Sequence, residues 1–496
     1  MTLRRAGRGA TAFGLGLLAL ELAYLLVANG IIRSGLIQRA ASERPQETEL
    51  QWDAAFSPWP GRVDVRGFRL RLQDPDLEFC LTIEHAQLDV ALPALLRRTF
   101  RASHVRAEGV RYRLLTKVDS PTGREARLAA FPLLEGLPRP ALREPKVGPP
   151  PTAADRDSLW SVELDDVDAT TSELWFVEFH YLGPGRVAGS FALAPLRTLW
   201  VRAATLNLQG GELSAGGHRL STSFSALLHV SISPADLPSS GGLRVLRTLD
   251  GSLTFDAAVE DLGVADLYRP GLRARGTGRV RANLQVAHGK LMPGSELEVG
   301  LRGADLSLRG YVFRGQADAR LSVSRPAASP FAQATVTGVL RIPLRGDESV
   351  AASLSGLTAE LAFVDNDLSR GLRFAQMKAL LGEARVRDAR AITRQVGAVI
   401  PVLTSAVLGN GPLVGKASAE ATSAAVLVRI KELHLGGAAL QGAVRGGDQG
   451  WNGAAAGHFG GVALGLRLRQ GKLEGVPLTP VPWLAEELLK VGIAAQ

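Results

Sequence analysis

The chain has 496 residues, 46% of them hydrophobic and 21% charged, a balance that excludes general disorder. Its 57 Lys plus Arg against 48 Asp plus Glu give a net charge of +9, spread along the chain rather than blocked, so basicity alone does not point to nucleic acid. One cysteine, Cys80, excludes an intrachain disulfide and a multi-cysteine zinc site, and 55 glycines beside 6% aromatics imply many turns and a small-residue interior.

Residues 12–32, AFGLGLLALELAYLLVANGII, form an apolar run long enough to cross a bilayer, broken only by Glu21. Leu15, Leu18, Leu22, Leu25 and Val27 are its expected anchor residues. Arg4, Arg5 and Arg8 precede it, which places the N-terminus in the cytoplasm and the body across the membrane. The run exceeds the roughly 7–15 apolar residues of a signal peptide, which favours an uncleaved single-pass anchor within residues 1–41. A cleaved signal peptide with a weak site at Val27-Ala28-Asn29 is the alternative.

Beyond the anchor the period is two. In residues 42–117, Val63 and Val65 alternate with polar residues, Gly67 shifts the phase as a β-bulge would, and Phe68, Leu70 and Leu72 continue. Leu77, Phe79, Leu81 and Ile83 make the next strand, then Leu88, Val90 and Leu92, a helical turn at Pro93, and Val110, Tyr112 and Leu114. Residues 118–160 carry eight prolines and read as a linker or loop with room for a short helix near Ala126.

Alternation returns over residues 161–364, from Trp175, Val177, Phe179 and Tyr181 to Val336, Leu340, Ile342 and Leu344, with Gly-rich turns between runs. Residues 365–412 break the pattern. Leu372, Met377, Leu380, Leu381 and Val386, followed by Val396, Val399 and Ile400, have helical spacing, and Pro401 ends it. Residues 413–479 resume as hairpins, and 480–496 read as an amphipathic helix opened by proline.

No constellation for catalysis stands out. His85, His104, His180, His218, His229, His288, His434 and His458 are scattered without ligand spacing, and neither HExxH, G-x-S-x-G nor a P-loop occurs. Glu163, Asp165, Asp166 and Asp168 could suit a cation, but they alternate with Val162, Leu164 and Val167 as the wet side of a strand does. Asp365-Asn366-Asp367 lacks the remainder of a calcium loop and suits a helix cap. Neither a cofactor nor a metal is expected. Arg62, Arg66, Arg69 and Arg71 interleave with valine and leucine, so they read as a wet strand face and not as a nucleic-acid surface.

An anchor followed by residues 52–72, WDAAFSPWPGRVDVRGFRLRL, and then by strands over 83–96 and 105–114, resembles the start of AsmA-like envelope proteins of the DUF748 type, within the bridge-like lipid transfer superfamily. The likeness is sharpest over about residues 10–115 and carries no catalytic residue. It implies an elongated, curled antiparallel sheet forming a groove (a β-taco) with an N-terminal transmembrane helix and a few short helices. It further implies a bacterial inner-membrane protein with its bulk in the periplasm, phospholipids as ligands, and an outer-membrane or periplasmic protein as partner. The groove lining is expected at Val280, Leu284, Val286, Phe313, Leu321, Val323, Val336 and Leu340, with Gly278, Ala282, Gly315, Ala317 and Ala319 leaving room beside them. Some 20 strands at about 4.8 Å would span on the order of 100 Å. A closed sandwich or barrel is the alternative fold, and a non-enzymatic scaffold that assembles outer-membrane proteins through its sheet edges is the alternative function.

Overall fold

The computed structural model describes residues 21–42, 48–73, 77–122, 124–135, 137, 142–143, 152, 156, 159–194, 197–236, 246–324, 330–344, 349–370, 374–390, 392, 411–422, 424–447, 450–459, 462–470, 472–477 and 480–493. The chain is mainly β and divides into two compact units: residues 1–257 with 286–289, and residues 258–285 with 290–496.

The first unit begins with a helix over residues 21–33, broken from a second at Leu36–Ala41 by Gly35, whose φ of 69° suits glycine. Its strands open with β1 (Thr48–Gln51), β2 (Ala54–Trp59), β3 (Arg62–Gln73), β4 (Leu77–Val90), β5 (Thr99–Thr116) and β6 (Ser161–Phe176). They continue with β7 (Phe179–Ala194), β8 (Thr198–Gln209), β9 (Glu212–Ala215), β10 (His218–Ser221), β11 (Phe224–Asp236) and β12 (Leu249–Val259). Pairing gives the order β3, β4, β5, β6, β7, β8, β11, β12, with β1 and β2 sharing the free edge of β3. The short β9 pairs with the start of β7 and with β10.

One pairing departs from the antiparallel expectation: β5 and β6 run parallel. Parallel neighbours cannot be joined by a tight turn and need a long connection. The proline-rich stretch between Thr116 and Ser161 is that connection, and its helix at Glu125–Ala129 lies close to where the sequence leaves room for one. The sheet is therefore mixed.

Gly67 also departs from a simple bulge. Pairing stays in step across it, from Arg66 opposite His85 to Phe68 opposite Ile83. The apolar phase shifts on three strands together, from Val65 to Phe68, from Ile83 to Ala86 and from Ala107 to Val110. Gly67 (φ 62°) and Gly109 (φ 65°) supply the left-handed backbone this needs, flanking Glu84 on the strand between them.

The second unit holds β13 (Arg273–Ala287), β14 (Lys290–Leu291), β15 (Glu296–Leu308), β16 (Tyr311–Val323), β17 (Pro330–Pro343), β18 (Ser349–Phe363) and β19 (Phe374–Val386). It ends with β20 (Leu413–Ala421), β21 (Ala425–Leu435), β22 (Ala438–Gly447), β23 (Gly450–Phe459), β24 (Val462–Arg469), β25 (Lys472–Pro477) and a helix, Pro480–Lys490. From β15 onward each strand pairs antiparallel with the next, and β13 pairs with β15.

The helix expected within residues 365–412 is overturned where it can be seen. Met377, Leu380, Leu381 and Val386 lie on strand β19. Pairing with β20 slips between Leu381 and Ala384, so two apolar positions of one face stand three residues apart and mimic a helical repeat. Leu372, Val396, Val399, Ile400 and Pro401 lie outside the described residues. Asp365-Asn366-Asp367 leads into a single 3₁₀ turn, Leu368–Arg370, where an Asp367 carboxylate oxygen accepts from the Ser369 amide at 2.9 Å.

Among the described residues no helix is long and apolar enough to cross a membrane. Leu15 and Leu18 lie outside the described residues, and Leu22, Leu25 and Val27 belong to the helix over 21–33.

Candidate functional site

Because side chains alternate across a strand, the pairing register decides which residues share a face. In the second unit it aligns the apolar positions of β15 to β21 into five rows. Leu297, Leu321, Ala332, Leu361, Met377, Ala421 and Val426 stand side by side. The next row is Val299, Ala319, Ala334, Ala359, Ala379, Ala419 and Val428, extended by Val280 on β13. Leu301, Ala317, Val336, Leu357, Leu381, Ala417 and Ile430 form the third. Ala304, Gly315, Gly338, Leu354, Ala384, Gly415 and Leu433 form the fourth, and Leu306, Phe313, Leu340, Ala352, Val386, Leu413 and Leu435 the fifth. No charged or hydrogen-bonding side chain interrupts any of the five.

The rows differ in cover. Ala352, Val386 and Leu435 in the fifth row are buried, together with Leu354, in a cluster completed by Ala389 and Ile392 beyond β19. Leu321, Ala332, Ala334, Val336, Leu357 and Ala359 in the first three rows are only half-buried. Of the residues singled out from sequence, Val280, Phe313, Leu321, Val336 and Leu340 thus come together. Leu284 is half-buried on β13 in the phase of Val280. Val323, 3% exposed, pairs with Pro330 at the end of β16. Val286, two residues further along β13 in the same phase, is half-buried and groups with the first unit.

The opposite side of these strands is charged and self-neutralised. Arg320 bonds Glu296 at 2.7 Å and lies 3.7 Å from Glu298, Arg314 meets Asp305 at 3.0 Å, and Arg302 meets Asp318. The C-terminal helix docks on that side, through Leu488 and Ile493 against Ala443 and Ala454, with Leu427, Trp483 and Leu484 around them. Ala443 and Ala454 are out of phase with Val444, Gly453 and Ala455, which continue the apolar rows. Glu487 fastens the helix, accepting from Arg467 at 2.6 Å and Lys490 at 2.7 Å. Burial alone would push its carboxyl up, but the bonds from Lys490 and Arg467 outweigh burial and hold it below the usual glutamate range.

The first unit has its own apolar rows. Leu50, Leu70, Leu81, Tyr112, Leu174, Tyr181 and Leu213 make one, and Val65, Ala86, Ala107, Ala169, Val187, Leu206, Leu228 and Leu253 another. The crossover between β5 and β6 packs on the other side of this sheet. Leu128, Phe131, Leu134 and Leu137 gather on Cys80 and Leu115, which point away from Phe79, Leu81 and Leu114. Beneath it lies a deeply buried pair, Lys117 and Glu78, at 3.6 Å. Burial raises the Glu78 carboxyl above its ordinary value against the pull of Lys117, and burial likewise raises the Cys80 thiol.

A cavity of about 960 Å³ also lies on the charged side of the first unit, lined in part by Arg101, Glu163, Asp165, Asp166, Asp168 and Trp200. Its carboxylates are taken up by arginines: Arg186 grips Asp168 through two bonds of 2.7 Å, Arg106 meets Asp166 at 2.9 Å, and Arg101 meets Asp165 at 3.4 Å and Glu163 at 3.6 Å. The two Arg186 bonds are what lower the Asp168 carboxyl. This is the solvated strand face that the alternation implies, and among the described residues no group of three or more His, Cys, Asp or Glu is placed to hold a metal ion.

The chain matches no known protein family, curated protein or solved structure. What it offers is an uncharged, half-exposed apolar surface several strands wide, with the docked helix and the docked crossover both on the opposite sides of their sheets.

Proposed function

We propose that this chain is a non-enzymatic protein, anchored in a bacterial inner membrane with its bulk in the periplasm, that binds acyl chains on its apolar sheet face. It takes part in moving phospholipid towards the outer membrane. One observation carries the reading: five aligned rows of the second unit are free of charge and hydrogen-bonding side chains, and Leu321, Ala332, Ala334, Val336, Leu357 and Ala359 in the first three are only half-buried. A sheet face of that kind in water needs a cover. An acyl chain laid on it gains about 0.8 kcal/mol per buried methylene, and the alanine and glycine positions leave it room. Charge-free rows suit a ligand that slides, since no position holds it by a directional bond.

The test is a photo-crosslinking amino acid at Leu321, with Arg320 on the opposite side as its control. Phospholipid captured at 321 and not at 320 supports the reading. Leu321→Asp should retain the fold, because a half-exposed site lets the charge reach water, while abolishing capture by a crosslinker at Val336. Equal capture from both sides, or capture of protein instead of lipid at 321, overturns it, the latter in favour of an assembly scaffold.

A further inference from the structure

The helix over residues 21–33 is inside out. The side it turns towards the sheet is the polar one: Asn29, 8% exposed, donates to the Ser57 carbonyl at 3.0 Å and accepts from the Ser57 amide at 2.7 Å. Tyr24 joins the Ser57 hydroxyl at 2.7 Å and accepts from the Gly61 amide at 3.2 Å. The outward side is apolar, with Leu22 52% exposed, Leu26 77%, Val27 62% and Ile31 44%. A water-facing helix has the reverse arrangement.

Exposed apolar side chains recur in the elements that follow: Leu36 and Ile37 on the next helix, and Phe56 and Trp59 on β2, the strand clamped to the helix through Ser57. Gln38 ties the second helix to the same region by donating to the Trp52 carbonyl at 3.2 Å. Between residues 22 and 42 the only charged side chains are Arg33 and Arg39, and both are exposed.

We infer that the β2–β3 hairpin, with Leu36 and Ile37, sits in the headgroup zone of an anionic lipid bilayer, held at fixed depth by the Asn29–Ser57–Tyr24 clamp. This rests on the anchor reading given above and adds what the anchor alone does not require, that the edge of the sheet itself touches lipid. Three features name a bilayer as the occupant. In sequence, the helix belongs to the apolar run over residues 12–32. A tryptophan and a phenylalanine stand at its margin, where such side chains favour the interface. The exposed charges of its two helices, Arg33 and Arg39, are positive, matching anionic headgroups. The clamp gives the arrangement its use: it sets the first strands of the sheet against the membrane surface in one orientation.

The experiment places nitroxide labels, one at a time, at Val27→Cys, Trp59→Cys and Arg106→Cys in a Cys80→Ser background. The full chain is reconstituted in phosphatidylcholine–phosphatidylglycerol vesicles, and label collisions with oxygen are compared with those of a water-soluble nickel chelate. Labels at 27 and 59 should favour oxygen, 59 less deeply than 27, and the label at 106 should favour the nickel chelate. Asn29→Ala should return the label at 59 to water while 27 stays in lipid. A label at 59 that behaves as at 106, with 27 still in lipid, overturns this inference and leaves the anchor standing. A label at 27 that is also in water sinks both. Spin–spin broadening at 59 that survives dilution into excess lipid places a second copy of the chain there and also overturns it.

Discussion

The two units build apolar sheet faces by the same alternation but fill them differently. In the first, rings lie against one another: Phe79 and Tyr112 at 5.9 Å, Tyr112 and Phe176 at 5.4 Å, Tyr181 and Phe224 at 5.5 Å, and Phe224 and Phe255 at 5.2 Å. Phe224 and Tyr181 are buried there with Leu174 and Leu208. In the second, one entire row from β16 to β20 is alanine, and glycine stands opposite glycine at Gly315 and Gly338. Large rings fill the space over a sheet and lower the need for a ligand. Alanine and glycine leave that space open. Alternation makes an apolar face, whereas side-chain volume decides whether that face is a core or a surface awaiting a cover.

Truncating one large side chain in each unit separates a packed core from an uncovered face most directly. Phe224→Ala should cost about 3–5 kcal/mol, because the Tyr181 and Phe255 rings lose their contact with it at once. Leu321→Ala, removed from a half-covered site, should cost roughly 1 kcal/mol while weakening lipid capture. Urea denaturation followed at each unit checks both, and equal losses would mean that the second face is as firmly packed as the first.

A smaller effect separates the two docked covers. Lys117→Met leaves Glu78 buried without its partner and should destabilise the crossover by about 3 kcal/mol near neutral pH. The raised carboxyl of Glu78 belongs to a group whose ionisation opposes folding, so the loss should shrink as pH falls and Glu78 takes a proton. Limited proteolysis within residues 118–160 across pH reads this out. A loss that grows on acidification would contradict it.

The smallest effect concerns the C-terminal helix. Glu487 is held below its ordinary range, so its contribution is present above the unfolded value of about 4.3 and is lost as pH falls through the folded one. Trp483 packs beside this site, with the Arg467 guanidinium 5.8 Å from its ring, and its fluorescence should report helix release on acidification. Glu487→Gln should weaken docking at pH 7 by about 1 kcal/mol and flatten that acid-dependent change.

How far the sequence leads depends on whether the information is local. The run Ala332, Ala334, Val336, Gly338, Leu340 shows its two-residue period directly, and β17 lies there. The candidate lining at Leu321, Val336 and Leu340 follows from the same period. Strand β19 misleads because the slip between Leu381 and Ala384 writes a three-residue interval into a strand, and because the exposed Leu380 faces the other way. The parallel partnership of β5 with β6 is not legible at all, since nothing near Thr99 or Ser161 encodes which distant segment lies alongside. The Asn29–Ser57 clamp was hidden for a related reason: an asparagine at the end of an apolar run gives no sign of the amide it will meet 28 residues on.

That parallel pair also fixes an order of events in folding. Strands β3, β4 and β5 are joined by short connections and form ladders between near neighbours in the chain, while β6 cannot align on β5 until all of residues 117–160 have emerged and looped back. Contacts between distant parts of a chain are slow to form, because the entropy of closing the loop is lost before the ladder compensates for it. During that interval β5 presents an unpaired edge. Shortening the crossover should therefore speed folding of the first unit without altering its native ladder, and an occluding chaperone should matter most while β5 waits for β6.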